Sequence, residues 1–431
     1  MALTTLTLAC KTCGHRTLTR TALGHGDYQE FAFPCGGCGL EIRYGMKLPL
    51  NKRMARVMAG REKHGEDWFV QQLERLDKMR QIVLTNLSNA KLSADLPEAT
   101  DVRTVDGETL NPVNQQAHFS PFLATVWLPK NRDQFSLHQH IRQTCATKYA
   151  AQIQKLRVHF ERKQWALFDK QLEELNLGLT VKTEAEKASA LFYAAEQNGQ
   201  AFRPANDKFV QQIKQRIALA ESTSPPLVTD LANFFQAKQN KDEAIARQLW
   251  AIRESWGPLH EFLHPIYNIY YWDNSKRTLD DYTLAQKRFD ELKQFYIDCF
   301  ETFCRVSSIA AGVEGIILKN SVGVPTPKRL MPLEEFDTAP NGLKADILKS
   351  LVVADIFVPF IDHNLRNGIG HHSAHYEVKT DTVHYVTENK TRGVKQHKIS
   401  YIRFCEKVVR LYAQVETVSL YAHWLRNAAF K

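Results

Sequence analysis

The spacing of apolar positions changes character several times along the chain. Tyr28 to Phe33 (YQEFAF) and Leu40 to Tyr44 (LEIRY) alternate with a period of two, which predicts two short strands. Beyond residue 51 the period lengthens. Trp68, Phe69, Leu73, Leu76, Met79, Ile82, Val83 and Leu87 recur at three- and four-residue steps, predicting a helix pair or one long helix over 51–90. Residues 91–121 carry Pro, Gly, Asn, Asp and Thr without a period, so an irregular linker is expected there, with a short hairpin at Asp106-Gly107. Helical spacing returns near Phe135. Ile141, Cys145, Tyr149, Ile153, Leu156 and Phe160 form one stripe, continued by Leu167, Phe168, Leu172 and Leu175 up to Gly178. Further helices are predicted over 184–197, 206–221, 227–237 and 241–255, one of them ended by the Ser222 to Pro226 run. Ile347, Leu348, Leu351, Val352, Ile356 and Phe360 mark another helical stretch. Thr382 to Thr387 alternates like one arm of a hairpin, and a closing helix runs from about Ser400 to Leu425. No self-similarity at the 33–45-residue periods of solenoid repeats is present.

The predicted fold class is therefore mainly α: helical bundle domains with a small β-hairpin near the C-terminus and a small β unit at the N-terminus. A chain of 431 residues exceeds what one core comfortably fills. We expect three parts, at 1–50, 51–270 and 271–431. With 44% hydrophobic and 24% charged residues, extended disorder is excluded as a general description. The most apolar window, Ile347 to Ile361, is interrupted by Lys349, Asp355 and Pro359, so no membrane span is expected. The first residues, MALTTLTLACKTCGHR, lack a secretory pattern, and a cytoplasmic address follows as the expectation. The net charge of +9 favours a polyanionic partner, but only weakly.

Four of the eight cysteines crowd the first 38 residues. Cys10 and Cys13 form one C-x-x-C pair and Cys35 and Cys38 another, each followed by glycine. Such a pair directs two thiolates at one ion, and two pairs complete a tetrahedral shell. Two disulfides would need an oxidising compartment, and a redox C-x-x-C would need a βαβ setting that is missing here. The expectation is one structural Zn2+ per chain, held by Cys10, Cys13, Cys35 and Cys38 in a zinc ribbon. A closed four-cysteine shell leaves no open position for catalysis, so no catalytic metal is expected. Cys145, Cys299, Cys304 and Cys405 sit in apolar stripes and read as buried fillers. The aromatic group Trp256, Phe262, Tyr267, Tyr270, Tyr271 and Trp272 could stack bases, but core packing accounts for it more simply.

One polar string stands out: Asp362-His363-Asn364-Leu365-Arg366-Asn367-Gly368-Ile369-Gly370-His371-His372. Histidine exchanges protons near neutral pH, and arginine offers a planar fork of donors to phosphate. Asn367 and His371 share a face of an ideal helix, whereas Arg366 and His371 diverge by about 140°. The weak helix propensity of Gly368 and Gly370 leaves room for a bend or an end there. Asp362 and His363 read as part of a helix face. His371, His372 and His375 could form a metal cluster, although they lack the i, i+4 spacing and the nearby carboxylate of helical zinc sites. A plain loop or core histidine pair is the other reading.

Arg366-Asn367-x-x-x-His371, followed by a hairpin and a long closing helix, resembles the signature of HEPN-family ribonucleases over roughly residues 280–431. The resemblance implies a HEPN-like C-terminal bundle and a metal-independent endoribonuclease. In it the RNA 2′-hydroxyl attacks the adjacent phosphate and leaves a cyclic phosphate end. It also implies His371 as general acid/base, with His372 able to share or replace that role, Arg366 as the phosphate holder and Asn367 as the residue that orients the pair. A homodimer with one motif from each protomer in the cleft is expected, as is a defence role of the abortive-infection or toxin type with a phage or cellular trigger. Lys379, Lys390, Arg392, Lys395 and Lys398 line the hairpin, and two roles stand open for them: tracking RNA phosphates, or guarding an edge strand. The alternative function is a non-catalytic nucleic-acid-binding or dimerisation scaffold.

Overall fold

Strand pairing begins at the first cysteine pair. In the computed structural model, which describes residues 3–22, 28–47, 81–84, 90–92, 150–200, 208–236, 247–257, 259, 263, 266, 288–351, 361–370, 373–377, 380–389 and 393–429, the first cysteine ends strand β1 (Leu3–Cys10) and the second precedes β2 (Arg16–Ala22). Strands β3 (Tyr28–Pro34) and β4 (Glu41–Lys47) flank the second pair in the same way. The YQEFAF and LEIRY alternations thus form an antiparallel pair, with Phe31 opposite Tyr44 and Phe33 opposite Ile42.

Each of these hairpins takes a third strand from a region where helix was expected. β5 (Gln81–Leu84) pairs antiparallel with β4, placing Ile82 opposite Met46 and Val83 opposite Gly45. β6 (Ala90–Leu92) pairs with β1, placing Leu92 opposite Leu8 and Ala90 opposite Cys10. The helix predicted over 51–90 is therefore corrected at 81–84 and at Ala90, and the linker predicted from 91 begins as strand. The physical reason is local: Ile82 and Val83 are β-branched within an apolar run that suits a pleated ladder, and the ladder partner outweighs the helical spacing. Residues 48–80 and 93–149, with the rest of those two predictions, lie outside the described residues.

Between Ala150 and Gln236 the described helices follow the predicted stripes closely. α1 (Ala150–Glu161) and α2 (Trp165–Leu175) bury Ile153, Leu156, Phe168, Leu172 and Leu175 against Leu191 and Ala194 of α3 (Glu184–Gln200). Asn176 takes a left-handed backbone that ends α2. α4 (Lys208–Thr223) and α5 (Pro225–Gln236) are separated by Ser224 alone, where the Ser222 to Pro226 run interrupts the helix as expected. Residues 247–257 are helical and carry the fully buried Trp256.

The longest helix is α6 (Phe289–Lys319). A two-stranded turn, β7 (Val324–Pro325) and β8 (Leu330–Met331), leads into α7 (Leu333–Thr338) and α8 (Asn341–Leu348). The short helix α9 (His363–Gly370) precedes a three-stranded antiparallel sheet of β9 (His375–Glu377), β10 (Thr382–Asn389) and β11 (Gly393–Ser400), in the order β11-β10-β9. The closing helix α10 spans Tyr401–Ala429. Among the described residues the chain is mainly helical with small antiparallel sheets, and none of these helices is long and apolar enough to cross a membrane.

The chain divides into two compact units. One comprises Met1–Ser136, Leu259–Leu292 and Gly368–Glu406; the other comprises Leu137–Pro258, Lys293–Asn367 and Lys407–Lys431. In the first, Phe289 meets Phe404 edge-on at 5.6 Å, and Tyr401 accepts the Arg288 backbone N–H at 2.9 Å. In the second, Trp256 stacks on Tyr412 at 4.3 Å and on Phe295 at 5.4 Å, so this aromatic is core, as expected. Phe262, Tyr267, Tyr270, Tyr271 and Trp272 are outside the described residues. Two carboxylates of the second unit are buried with arginine partners. Arg253 donates from Nε and Nη2 to Glu416 at 2.8 and 2.7 Å, and Arg216 donates to Glu314 from Nε at 2.6 Å. This bidentate geometry compensates carboxylates only 1% exposed. Cys299, Cys304 and Cys405 are fully buried, as fillers should be.

Candidate functional site

The four N-terminal thiols converge. The two knuckles are built alike: Cys10 N–H bonds His15 O at 2.8 Å and Gly14 N–H bonds Cys10 O at 2.9 Å, while Cys35 N–H bonds Leu40 O and Gly39 N–H bonds Cys35 O, both at 2.8 Å. Gly14 and Gly39 carry φ of +72° and +75°, a conformation that costs glycine nothing. Cys10 and Cys35 are buried; Cys13 and Cys38 are exposed. The Sγ atoms of Cys10 and Cys38 lie 3.7 Å apart and those of Cys13 and Cys35 3.5 Å apart, and all four are within 4.8 Å of one another. A tetrahedral tetrathiolate shell with Zn–S bonds of about 2.3 Å has edges of about 3.8 Å, so the donor set fits one metal ion. Burial opposes ionisation of Cys10, but backbone N–H groups of Cys13 and Thr12 and the neighbouring thiols hold its pKa down at about 6. Among the described residues this is the one His/Cys/Asp/Glu group placed to hold a metal. His375, the one described residue of the alternative histidine cluster, stacks its ring on His384 at 5.2 Å, while His371 and His372 lie outside the described residues.

The Arg366–Asn367 pair sits on α9, and Asp362 starts that helix. Its Oδ1 accepts the Leu365 N–H at 3.1 Å and its carbonyl accepts the Arg366 N–H at 3.0 Å. Lys407 reaches Asp362 Oδ2 at 3.3 Å, and the Tyr296 hydroxyl reaches Asp362 O at 3.4 Å. Asp362 is thus a cap that anchors the motif helix to α6 and α10, rather than a member of a helix face.

Arg366 is held on several sides. Its Nε donates to Glu301 Oε1 at 2.9 Å, Nη2 donates to the same oxygen, and Nη1 donates to Asn367 Oδ1 at 3.2 Å. Asn341 Nδ2, at the start of α8, donates to the other carboxylate oxygen, Glu301 Oε2. The Arg366 and Glu301 side chains are 31% and 25% exposed, so the pair meets solvent without lying on open surface. One turn earlier on α6, burial raises the Asp298 pKa, and the charge of Glu301 adds to the effect. Burial also pushes the Cys304 thiol up to about 12, which makes it inert beside this cluster. Glu301, Asn341 and Asp362 were not singled out in the sequence as site residues. For Asp362 a signal existed, an aspartate directly ahead of a helix. For Glu301 and Asn341 none did.

Gly368 lies where α9 passes β10. A Cβ there would meet Tyr385 Cβ and Cδ2, both at 2.8 Å. The backbone after the helix is fastened by Ser373. Its N–H donates to Gly368 O at 3.0 Å, and its Oγ lies 2.8 Å from Gly368 O and 2.9 Å from Val386 O. His371 and His372 lie outside the described residues, as do Lys379, Lys390 and Arg392. Lys395 and Lys398 are exposed on β11, opposite Thr387 and His384 respectively. Three residues apart on a strand, they point to opposite faces of the sheet. Lys398 shares a face with His384 and His375, whereas Lys395 shares the face of Tyr385 and His397, whose rings stack at 4.9 Å. One phosphate track along a single face cannot use both lysines.

Compared with family models, with curated proteins and with solved structures, the chain matches none.

Proposed function

We propose that the protein is a metal-independent endoribonuclease of the HEPN type that carries an N-terminal zinc ribbon. The observation that supports this is the presentation of Arg366 and Asn367: side by side on a short capped helix, partly exposed, and followed within five residues by His371 and His372. In this reading His371, or His372 in its place, takes the proton from an RNA 2′-hydroxyl. The 2′-oxygen forms its bond to phosphorus as the bond to the 5′-oxygen breaks. The leaving oxygen receives a proton, and a 2′,3′-cyclic phosphate remains. Arg366 binds the non-bridging oxygens where negative charge builds. Zn2+ held by Cys10, Cys13, Cys35 and Cys38 folds the ribbon and takes no part in the cleavage. The active form is a homodimer, each protomer giving one motif to the cleft, and Lys398 or Lys395 adds contact to the RNA backbone. The biological setting that fits such an enzyme is anti-phage abortive infection or a toxin released by a trigger.

The test is cleavage of labelled RNA in EDTA. The wild type is expected to cut, and Arg366→Ala and the joint substitution His371→Ala with His372→Ala are each expected to abolish cutting without changing the circular dichroism spectrum. RNA that is bound in a salt-dependent manner but stays intact would instead make the protein a binding scaffold.

A further inference from the structure

The Arg366 guanidinium has five N–H groups. Three are engaged: Nε–H and one Nη2–H on Glu301 Oε1, and one Nη1–H on Asn367 Oδ1. Glu301 therefore occupies one edge of the planar fork. Among the described residues, the remaining N–H of Nη1 and that of Nη2 have no acceptor, and the side chain is 31% exposed. Glu301 is itself fixed. It projects from α6, and its second oxygen accepts from Asn341, whose backbone carbonyl lies 3.9 Å from Cys304 Sγ of the same helix. Both carboxylate oxygens are thus in use, and the charge is matched by the guanidinium. A carboxylate so occupied is poorly placed to act as a proton acceptor. It is well placed to hold a neighbour in one orientation.

We infer that Glu301 is the positioning residue for Arg366, holding one edge of its guanidinium so that the remaining Nη1 and Nη2 donors are set for a scissile phosphate. This rests on the reading of the site as an RNA-cleaving centre. Arginine suits the role because its rigid fork serves a carboxylate and a phosphate at once, which a lysine ammonium cannot do with defined geometry. The arrangement also sets a sign. Glu301 repels an incoming phosphate weakly by its charge while raising the reactivity of the complex by orientation. Its loss should therefore move binding and turnover in opposite directions.

Steady-state kinetics on one RNA, with thermal midpoints as a check of folding, separate these effects. Glu301→Gln keeps the shape and one acceptor but removes the charge. It is expected to lower kcat roughly ten- to hundredfold, the scale of a misplaced reacting group, while KM stays level or falls. Glu301→Asp should recover part of kcat, and Asn341→Ser should lower it less than Glu301→Gln does. In an Arg366→Lys background, which keeps a cation but not the planar fork, Glu301→Gln should cost less than it does in the wild type. A Glu301→Gln enzyme with wild-type kcat overturns the inference and leaves the ribonuclease reading standing. An equal fold loss in the wild-type and Arg366→Lys backgrounds, or a rise in KM with kcat unchanged, also overturns it. A wild-type protein that binds RNA and never cuts it overturns both. Should Glu301→Gln fail to fold, the Glu301→Asp and Asn341→Ser kinetics decide by the same criteria.

Discussion

At the scale of single residues, the motif helix is defined by groups that touch it rather than by its own sequence. Gly368 shows this most directly. Alanine there gains about 1 kcal/mol of helix propensity, yet its Cβ must displace a tyrosine ring that is 6% exposed. Overpacking of this kind costs about 1–3 kcal/mol, so Gly368→Ala should be net destabilising, by about 1 kcal/mol. Urea denaturation checks the sign, and a stabilised variant would mean that Tyr385 yields freely. The same logic separates what was legible in the sequence from what was not. Arg366 and Asn367 announce themselves because they are adjacent and chemically loaded. Glu301 is 65 residues from Arg366 and lies in a helical stripe, where a glutamate looks like one more solvated position. Its role exists only once α6 and α9 are packed. Asp362 is visible in the sequence as a residue but not as a cap, because a cap and a face are told apart by where the helix starts.

At the scale of elements, the helices from α1 to α5 and the closing α10 were readable; the long α6 and the outer strands of the ribbon were not. Amphipathic stripes such as Leu167, Phe168, Leu172 and Leu175 carry their periodicity within one segment, and the ends of α2, α4 and α5 follow from turn residues. β5 and β6 owe their state to partners more than 30 positions earlier in the chain, β4 and β1, and a stripe spaced at three and four residues hides that. This pairing also bears on the metal. β6 places Ala90 opposite Cys10, so the ladder of β1 reaches the first thiol. With the thiolates unligated, four sulfurs within 4.8 Å of one another lose what holds the knuckles together. Elemental analysis of the wild type is expected to show one metal ion per chain; Cys10→Ser should abolish it and expose the segment around β1–β4 to limited proteolysis. The far-ultraviolet helical signal should keep most of its amplitude, because α1 to α10 all lie beyond residue 149 of the chain. A Cys10→Ser protein that holds its metal and resists protease would sink the tetrathiolate site.

At the scale of the whole molecule, the proposed chemistry divides between chains. A motif with one arginine and its histidines offers one set of functional groups per protomer, and the HEPN reading places two such sets in one cleft. Two-fold symmetric association is the commonest way for a chain to supply both. The consequence can be read without a structure of the dimer. Arg366→Ala protein, unfolded and refolded with an equal amount of wild type, forms dimers at random, and about one quarter of them are wild type on both sides. If each protomer cuts alone, activity per total protein falls to about half, because half the chains are intact. If both motifs are required, it falls to about one quarter. Because Arg366 pairs with Glu301 and Asn367 of its own chain, its substitution should leave dimer assembly unchanged, which light scattering on the mixture verifies. A value near one half, with dimers present, would place a complete active site in each protomer. It would leave the ribonuclease assignment intact while removing the shared cleft from it.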